Sequence, residues 1–170
     1  VVSKNFEGHF SINLYLDSDV KNQDSNYQER FWDTTDTEAN QRYALLSAKT
    51  KKTGFEVTYC QKSEVLVDDL PLTNQPSCAT SQDRVHQEYS LDLHKGQKLS
   101  IYKIAAIVTS RDHPSTELST IAIKKAEQAQ TQGYTQLRDL HIQEWANKWN
   151  ESDITIDGDL SAQQGIRFNI

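Results

Sequence analysis

The strictest constraint on this chain is a two-residue alternation that recurs through its first two thirds and then stops. Phe10, Ile12, Leu14 and Leu16 alternate with Ser11, Asn13 and Tyr15. Val85, Gln87, Tyr89, Leu91 and Leu93 alternate with His86, Glu88, Ser90, Asp92 and His94. Successive side chains of an extended backbone point to opposite faces, so each run predicts a strand with one buried face. Phe55 to Cys60 repeats the pattern, Arg42 to Thr50 carries it more noisily, and Glu64 to Val67 reads as a short strand. Lys98 to Thr109 is a last strand, apolar on both faces from Ile104 to Val108, which predicts a central position covered on two sides. Lys51-Lys52-Thr53-Gly54 and Lys95-Gly96 have the composition of turns. Lys21 to Asn40 is rich in Asp, Asn and Thr and predicts a long loop pinned by Tyr27, Phe31 and Trp32. Leu70 to Asp83, with Pro71, Asn74, Pro76 and Ser77, predicts a second loop. Strands and turns at these intervals predict an antiparallel β-sandwich, or part of one.

At Arg111-Asp112-His113-Pro114 the period changes to that of a helix. Glu117 to Gln132 places Leu118, Ile121, Ala122, Ala126 and Ala129 on one side, with Ser115 or Thr116 as cap and Gly133 as the terminating glycine. Thr135 is positioned to cap a second helix, so the pair predicts an αα-hairpin. In that helix Leu137, Leu140, His141, Glu144, Trp145, Lys148 and Trp149 fall on one face. Asp153 to Asp159 then reads as a short acidic strand, and Gln163 to Ile170 as the opening of a further helix. An apolar run that opens a helix at the end of the sequence, together with Val1 at the start and no methionine anywhere, predicts a piece of a longer protein.

A chain of 170 residues buries one sizeable core. It has no apolar run of about 18 residues that could cross a membrane as a helix, and no secretory signal pattern. The net charge of −6 argues against nucleic acid, whose affinity comes chiefly from Lys and Arg at phosphates. Lys49, Lys51 and Lys52 form the one basic cluster and read as a solvated turn. Cys60 falls in a strand and Cys78 in a loop, which predicts two reduced thiols.

Several patterns resemble chemistry, each with a plainer reading. His141 and Glu144 share a helix face at a spacing used by metal sites, but no second such pair supplies further ligands. A half-buried polar pair among Trp145 and Trp149 is the simpler expectation. His9, His86, His94 and His113 are scattered and show no zinc spacing. Asp157-Gly158-Asp159 with Ser161 begins like a calcium loop but fails at Ala162 and Phe168. Asp159 is better placed to cap the last helix, with Gly158 permitting a sharp entry. Asp153, Asp157 and Asp159 also suggest a carboxylate pair for glycoside chemistry, or partners for Arg111 or Arg167. Ser110-Arg111-Asp112-His113 holds the residue types of a triad, but adjacency in sequence is poor geometry for one.

The stretch His141-Ile142-Gln143-Glu144-Trp145, Trp149, Ser152 to Asp159 and Gln163 to Asn169 resembles a junction in glycoside hydrolase family 65. Ser110-Arg111-Asp112 and the run from Gly8-His9-Phe10 through Val20 resemble the same family's N-terminal sandwich. The resemblance implies a mainly β chain with α: residues 1–111 the C-terminal portion of a galactose mutarotase-like supersandwich, 112–158 an αα-hairpin linker, and 159–170 the first helix of a truncated (α/α)6 barrel. It implies an inverting phosphorylase that cleaves an α-glucosyl disaccharide with inorganic phosphate, without other cofactors, in a cytoplasmic homodimer. Neither membrane nor nucleic acid is an implied partner. Asp24-Ser25-Asn26-Tyr27 and Arg30-Phe31-Trp32 are most similar to the maltose-acting members. The family's catalytic and phosphate-binding residues fall beyond Ile170, so the resemblance assigns no catalytic, substrate-binding or metal residue here, and the fragment alone is expected to be inactive. A non-catalytic carbohydrate-binding sandwich, with Tyr27, Phe31 and Trp32 stacking on sugar, and a structural interface module are the other expectations.

Overall fold

A computed structural model describes residues 7–21 and 29–169. Among them are eight strands, β1 (Gly8–Asp17), β2 (Trp32–Ala39), β3 (Ala44–Thr50), β4 (Glu56–Val67), β5 (Leu70–Pro71), β6 (Ser77–Thr80), β7 (Arg84–Leu93) and β8 (Leu99–Thr109). A 3-10 turn at Ser115–Glu117 leads into helix α1 (Leu118–Ser152), and α2 spans Leu160–Asn169. The chain divides into two compact units, residues 1–131 and 132–170.

In the first unit two antiparallel sheets form, one in the order β1-β7-β6 and the other β2-β3-β4-β5 with β8 along the remaining edge of β4. The alternations place the core as read. Val85, Gln87, Tyr89, Leu91 and Leu93 of β7 are buried, whereas Ser90 and Asp92 are exposed. Phe10, Ile12, Leu14 and Leu16 pack into the clusters between the sheets with Val65, Leu99, Leu46 and Ala48. The opposite face of the larger sheet is covered by the start of α1. Leu118, Ala122 and Ala126 pack there on Leu45, Cys60 and Val108. The Lys51–Gly54 hairpin loop is present, closed by Thr50 N–H to Phe55 O at 2.8 Å.

Several expectations are corrected. The later part of the presumed loop 21–40 is strand β2, its composition masking a Trp32, Thr34, Thr37, Ala39 inner face interrupted by a bulge between Thr34 and Asp36. Its acidic outer residues suit an edge strand, where charge discourages further pairing. The two separate strands expected at 55–60 and 64–67 are one, β4, buried on both faces along much of its length. The presumed loop 70–83 contains β5 and β6. β5 follows a two-residue turn in which Asp68 and Asp69 take φ of 51° and 65°, a left-handed geometry that Asp tolerates. Asp68 is held there by Lys98 N–H to its Oδ1 at 2.8 Å. β8 is an edge strand, and Ile107, within the run expected to be covered on both sides, is exposed.

Helix α1 starts without a side-chain cap from Ser115 or Thr116, its first turn being tightened by Glu117 N–H to Pro114 O at 2.9 Å. It breaks at Gly133, whose φ of 77° and ψ of 161° no helical residue shares, and Thr135 lies inside the helix rather than capping it. In the second unit Leu140 and Trp145 are exposed, and Trp149 and Leu137 only partly buried. The expected half-buried setting of His141 and Glu144 is therefore absent. Asp153 to Asp159 is not a strand, because among the described residues no strand pairs with it. The Gln163 amide substitutes for one, accepting from Ile156 N–H at 2.7 Å and donating to Ile154 O at 2.8 Å. Asp159 caps α2 through Ala162 N–H at 3.0 Å, and Gly158 turns into it with φ of 88°.

Ala126 has no exposed surface against Leu45, Cys60 and Val108. Ala126→Leu is expected to lower stability by about 1–3 kcal/mol through overpacking. An unchanged urea midpoint would show that α1 does not press on the sheet.

Candidate functional site

A cross-strand set of polar contacts gathers where β1 ends and β2 and β7 begin. Ser18 N–H donates to Asp83 O at 2.9 Å, carrying the β1–β7 pairing one residue past the strand. Asp83 is the centre. It accepts hydrogen bonds from Arg30 Nη1 at 3.0 Å and Thr34 Oγ1 at 2.7 Å, and its Oδ1 is ion-paired with Arg30 Nη2 at 2.7 Å. Ser18 Oγ lies 2.6 Å from Thr34 Oγ1. Arg30 Nε is 3.3 Å from Asp19 Oδ1, near enough for charge attraction though not aligned for a hydrogen bond. The Arg30 guanidinium, then the Thr34 hydroxyl, hold the Asp83 carboxyl below the usual carboxylate range. Beside this network lies a pocket of about 240 Å³ whose walls include Leu16, Asp17, Trp32, Leu46 and Tyr59. Trp32 also stands 6.5 Å from Phe55, centroid to centroid, at 59°. Tyr27, the third aromatic residue read with Phe31 and Trp32, lies outside the described residues.

The arginine partner expected for the C-terminal aspartates is Arg167. It grips Asp153 with Nε at 3.0 Å and Nη2 at 2.5 Å. Asp153 is thereby held below the usual carboxylate range, chiefly by that hydrogen bond. With Asp153 paired and Asp159 capping α2, these two carboxylates serve the turn into the helix. Ser110-Arg111-Asp112-His113 also serves a turn. Ser110 Oγ accepts from Glu56 N–H at 3.0 Å, Thr109 Oγ1 donates to Asp112 Oδ2 at 3.1 Å, and His113 N–H donates to Thr109 O at 3.3 Å. His141 packs its ring against the edge of Trp145 at 6.1 Å, and Lys148 Nζ lies 5.5 Å from the same indole. No group of three or more potential metal ligands occurs among the described residues.

Cys60 and Cys78 are unpaired, and burial pushes the Cys60 thiol up to about 11, so it stays protonated and unreactive at neutral pH. One constellation escaped the sequence reading because it forms across strands. His9 Nδ1 lies 3.0 Å from Asp92 Oδ1, and Ser90 Oγ 2.7 Å from His9 Nε2. Its order resembles a hydrolytic triad, but it sits on the exposed face of the smaller sheet. Within the core, Gln87 donates to Asn40 O at 2.7 Å and accepts from Ser63 Oγ at 3.1 Å. No helix among the described residues is long and apolar enough to cross a membrane.

Residues 1–148 match the model of the glycosyl hydrolase family 65 N-terminal domain. The chain is 33% identical over 156 residues to maltose phosphorylase from Bacillus subtilis, covering 92% of this chain and 20% of that protein. It is 28% identical over 174 aligned positions to α,α-trehalose phosphorylase from Thermoanaerobacter brockii, covering 97% of this chain and 22% of that one. The chain thus spans about a fifth of the length of these relatives. A solved structure described as a kojibiose phosphorylase from the human microbiome superposes with a TM-score of 0.77 at 22% identity, covering 95% of this chain and 20% of its own. It shares the fold.

The Arg30–Asp83 contact gives the first unit a measurable acid sensitivity. A depressed folded-state pKa stabilises above the unfolded value of about 3.9, and that stability is lost as pH falls through the folded value. Asp83→Asn is expected to cost about 1–3 kcal/mol at pH 7. The gap from wild type should close as pH drops below about 4. A gap that stays constant down to the acid limit of folding would contradict this account.

Proposed function

Because the chain belongs to glycosyl hydrolase family 65, we propose that it is part of an inverting disaccharide phosphorylase and that its own role is architectural. The observation that carries this reading is the family match over residues 1–148, joined by 33% identity to a maltose phosphorylase. Relatives named for maltose, trehalose and nigerose phosphorylase support the reaction class. The higher identity to the maltose enzyme favours maltose as substrate. Residues 1–111 are the later part of the sandwich, 112–158 a linker and 159–170 the first helix of a barrel. In the full-length protein a barrel carboxylic acid protonates the glycosidic oxygen while inorganic phosphate attacks the anomeric carbon from the opposite face. Phosphate thus replaces both the base and the water of an inverting hydrolase, releasing glucose and β-glucose 1-phosphate. No cofactor beyond phosphate as co-substrate is required. The family likeness is also the basis for a cytoplasmic homodimer.

The internal pairings of Asp83 with Arg30 and Asp153 with Arg167 support the architectural role, since both carboxylates hold backbone turns in place. Assaying the full-length protein with maltose, kojibiose and trehalose tests the reaction. Glucose release from maltose should require phosphate and yield the β anomer of glucose 1-phosphate. Release without phosphate would make the protein a hydrolase, and no turnover of the three sugars would defeat the assignment. The exposed face of Leu140, Trp145 and Trp149 is the surface proposed to dock the linker in that larger protein. There, truncating either tryptophan to Ala is expected to cost about 3–5 kcal/mol, the range for a buried aromatic residue. Melting at the wild-type temperature in both variants would place that face in solvent.

A further inference from the structure

A seam of neutral polar groups cuts the sandwich core in two. On β7 Val85 belongs to one apolar cluster and Tyr89 and Leu91 to another, with Gln87 between them. On β4 Tyr59 packs against the first cluster and Val65 lies in the second, with Gln61 and Ser63 between them. The two strands belong to different sheets, and the Ser63–Gln87 bond joins them across the core. Part of the seam is closed by protein groups alone. Ser63 Oγ donates to Gln87 Oε1 at 3.1 Å and lies 2.9 Å from Tyr89 OH, and Gln87 Nε2 donates to Asn40 O at 2.7 Å.

Gln61 is the exception. It has no exposed surface, and neither its Nε2 nor its Oε1 has a hydrogen-bonding partner among the described residues. Exchanging the two ends of the amide rescues neither, because both are unmet. A primary amide brings two donor hydrogens and two acceptor lone pairs, and burying them unpaired costs stability. The residues paired with Gln61 on either side are alanines, Ala44 on β3 and Ala105 on β8. Directly opposed side chains share a face, so only methyl groups flank the amide within its sheet. Gln87, bonded to Ser63 two residues along the same face of β4, uses one N–H and one lone pair and has one of each to spare.

We propose that Gln61 binds internal water, which joins its amide to the spare hydrogen-bonding capacity of Gln87 and so completes the seam. Water fits this site by its chemistry. It donates and accepts together, as the amide does, and buried waters settle where two to four polar groups converge. An ion does not fit, for Gln61, Gln87, Ser63 and Tyr89 carry no charge to balance it. The charged residue next in register is Lys103, opposite Ser63, and its ammonium donates to Tyr15 O at 2.9 Å. Ala105, exposed beside Gln61 in register, places the site one strand from the edge of the sheet, a short path for exchange with solvent. The site is independent of the reaction proposed for the full-length protein.

A crystal structure of the full-length protein that resolves ordered solvent tests this. Density for water should lie about 2.7–3.2 Å from Gln61 Nε2 or Oε1 and from a second polar atom of the seam. A Gln61 amide bonded directly to a protein group, or bordered by no solvent density, would overturn the proposal. Gln61→Met supplies a second reading, since it nearly keeps the length of the side chain and removes its amide. With water bound, the variant loses that solvent peak and melts below wild type. A melting temperature at or above wild type would mark the amide as dry and unpaired, and a peak that persists unmoved would show that Gln61 does not hold it. Either result counts against the site. Should the variant not fold, the wild-type density decides alone. Neither measurement involves turnover, so failure of the phosphorylase assignment leaves this outcome untouched.

Discussion

The first unit depends on β4. This strand carries β3 and β5 along one edge and β8 along the other, and its side chains enter both layers of the core. Cys60 faces α1, while Val65 and Tyr59 face the smaller sheet. A strand buried on both faces cannot shift by one residue without exchanging two cores at once, so β4 fixes the register of everything paired to it. The polar residues it brings inside must then be matched. Ser63 is, through Gln87 and Tyr89 OH, the latter at 2.9 Å. Thr58 is, through Ser47 Oγ at 2.8 Å. Gln61 is fully buried with neither amide atom bonded among the described residues, which costs stability.

The same strand explains which parts of the fold were legible in the sequence. Strands with one wet face announce themselves by alternation, and β1 and β7 were read with nearly their final bounds and inner faces. β4 has no wet face for much of its length, so its pattern blurs, and Gln61-Lys62-Ser63 looked like a break between two strands. β8 misled in the opposite direction. Ile104 to Val108 is apolar throughout, yet the strand is an edge: Ala106 and Val108 pack toward α1, while Ala105 and Ile107, on the same face as Leu99, stay exposed. β2 was hidden by composition: Asp, Thr and Glu suit a charged edge strand as well as a loop, and the bulge at Thr34–Asp36 disrupts the period that would have revealed it.

Local chemistry was more legible than long-range chemistry. The Asp159 cap and the Arg167 partner of Asp153 follow from residues within about four turns of each other, and both could be anticipated. The Arg30–Asp83–Thr34–Ser18 network joins positions as far as 65 residues apart, and no spacing in the sequence foretells it. The same holds for His9, Ser90 and Asp92, which the β1–β7 register alone brings together. Cross-strand sites depend on register, and register is decided by the whole pattern of burial rather than by the residues at the site.

These features share one physical logic in the first unit. Its charged groups are spent on fastening strand ends, as Arg30 does for Asp83 and Lys49 for Glu56 at 2.9 Å. Its buried apolar groups fill the cores on the two faces of the larger sheet, while Val20, Leu70, Ile101 and Ile107 are left exposed. Reactive chemistry needs groups held unsatisfied until a ligand arrives, as in a preorganised donor array. At the Arg30–Asp83 network the Asp83 carboxylate and the Thr34 and Ser18 hydroxyls are paired with one another, and they hold the end of β1 against the start of β7.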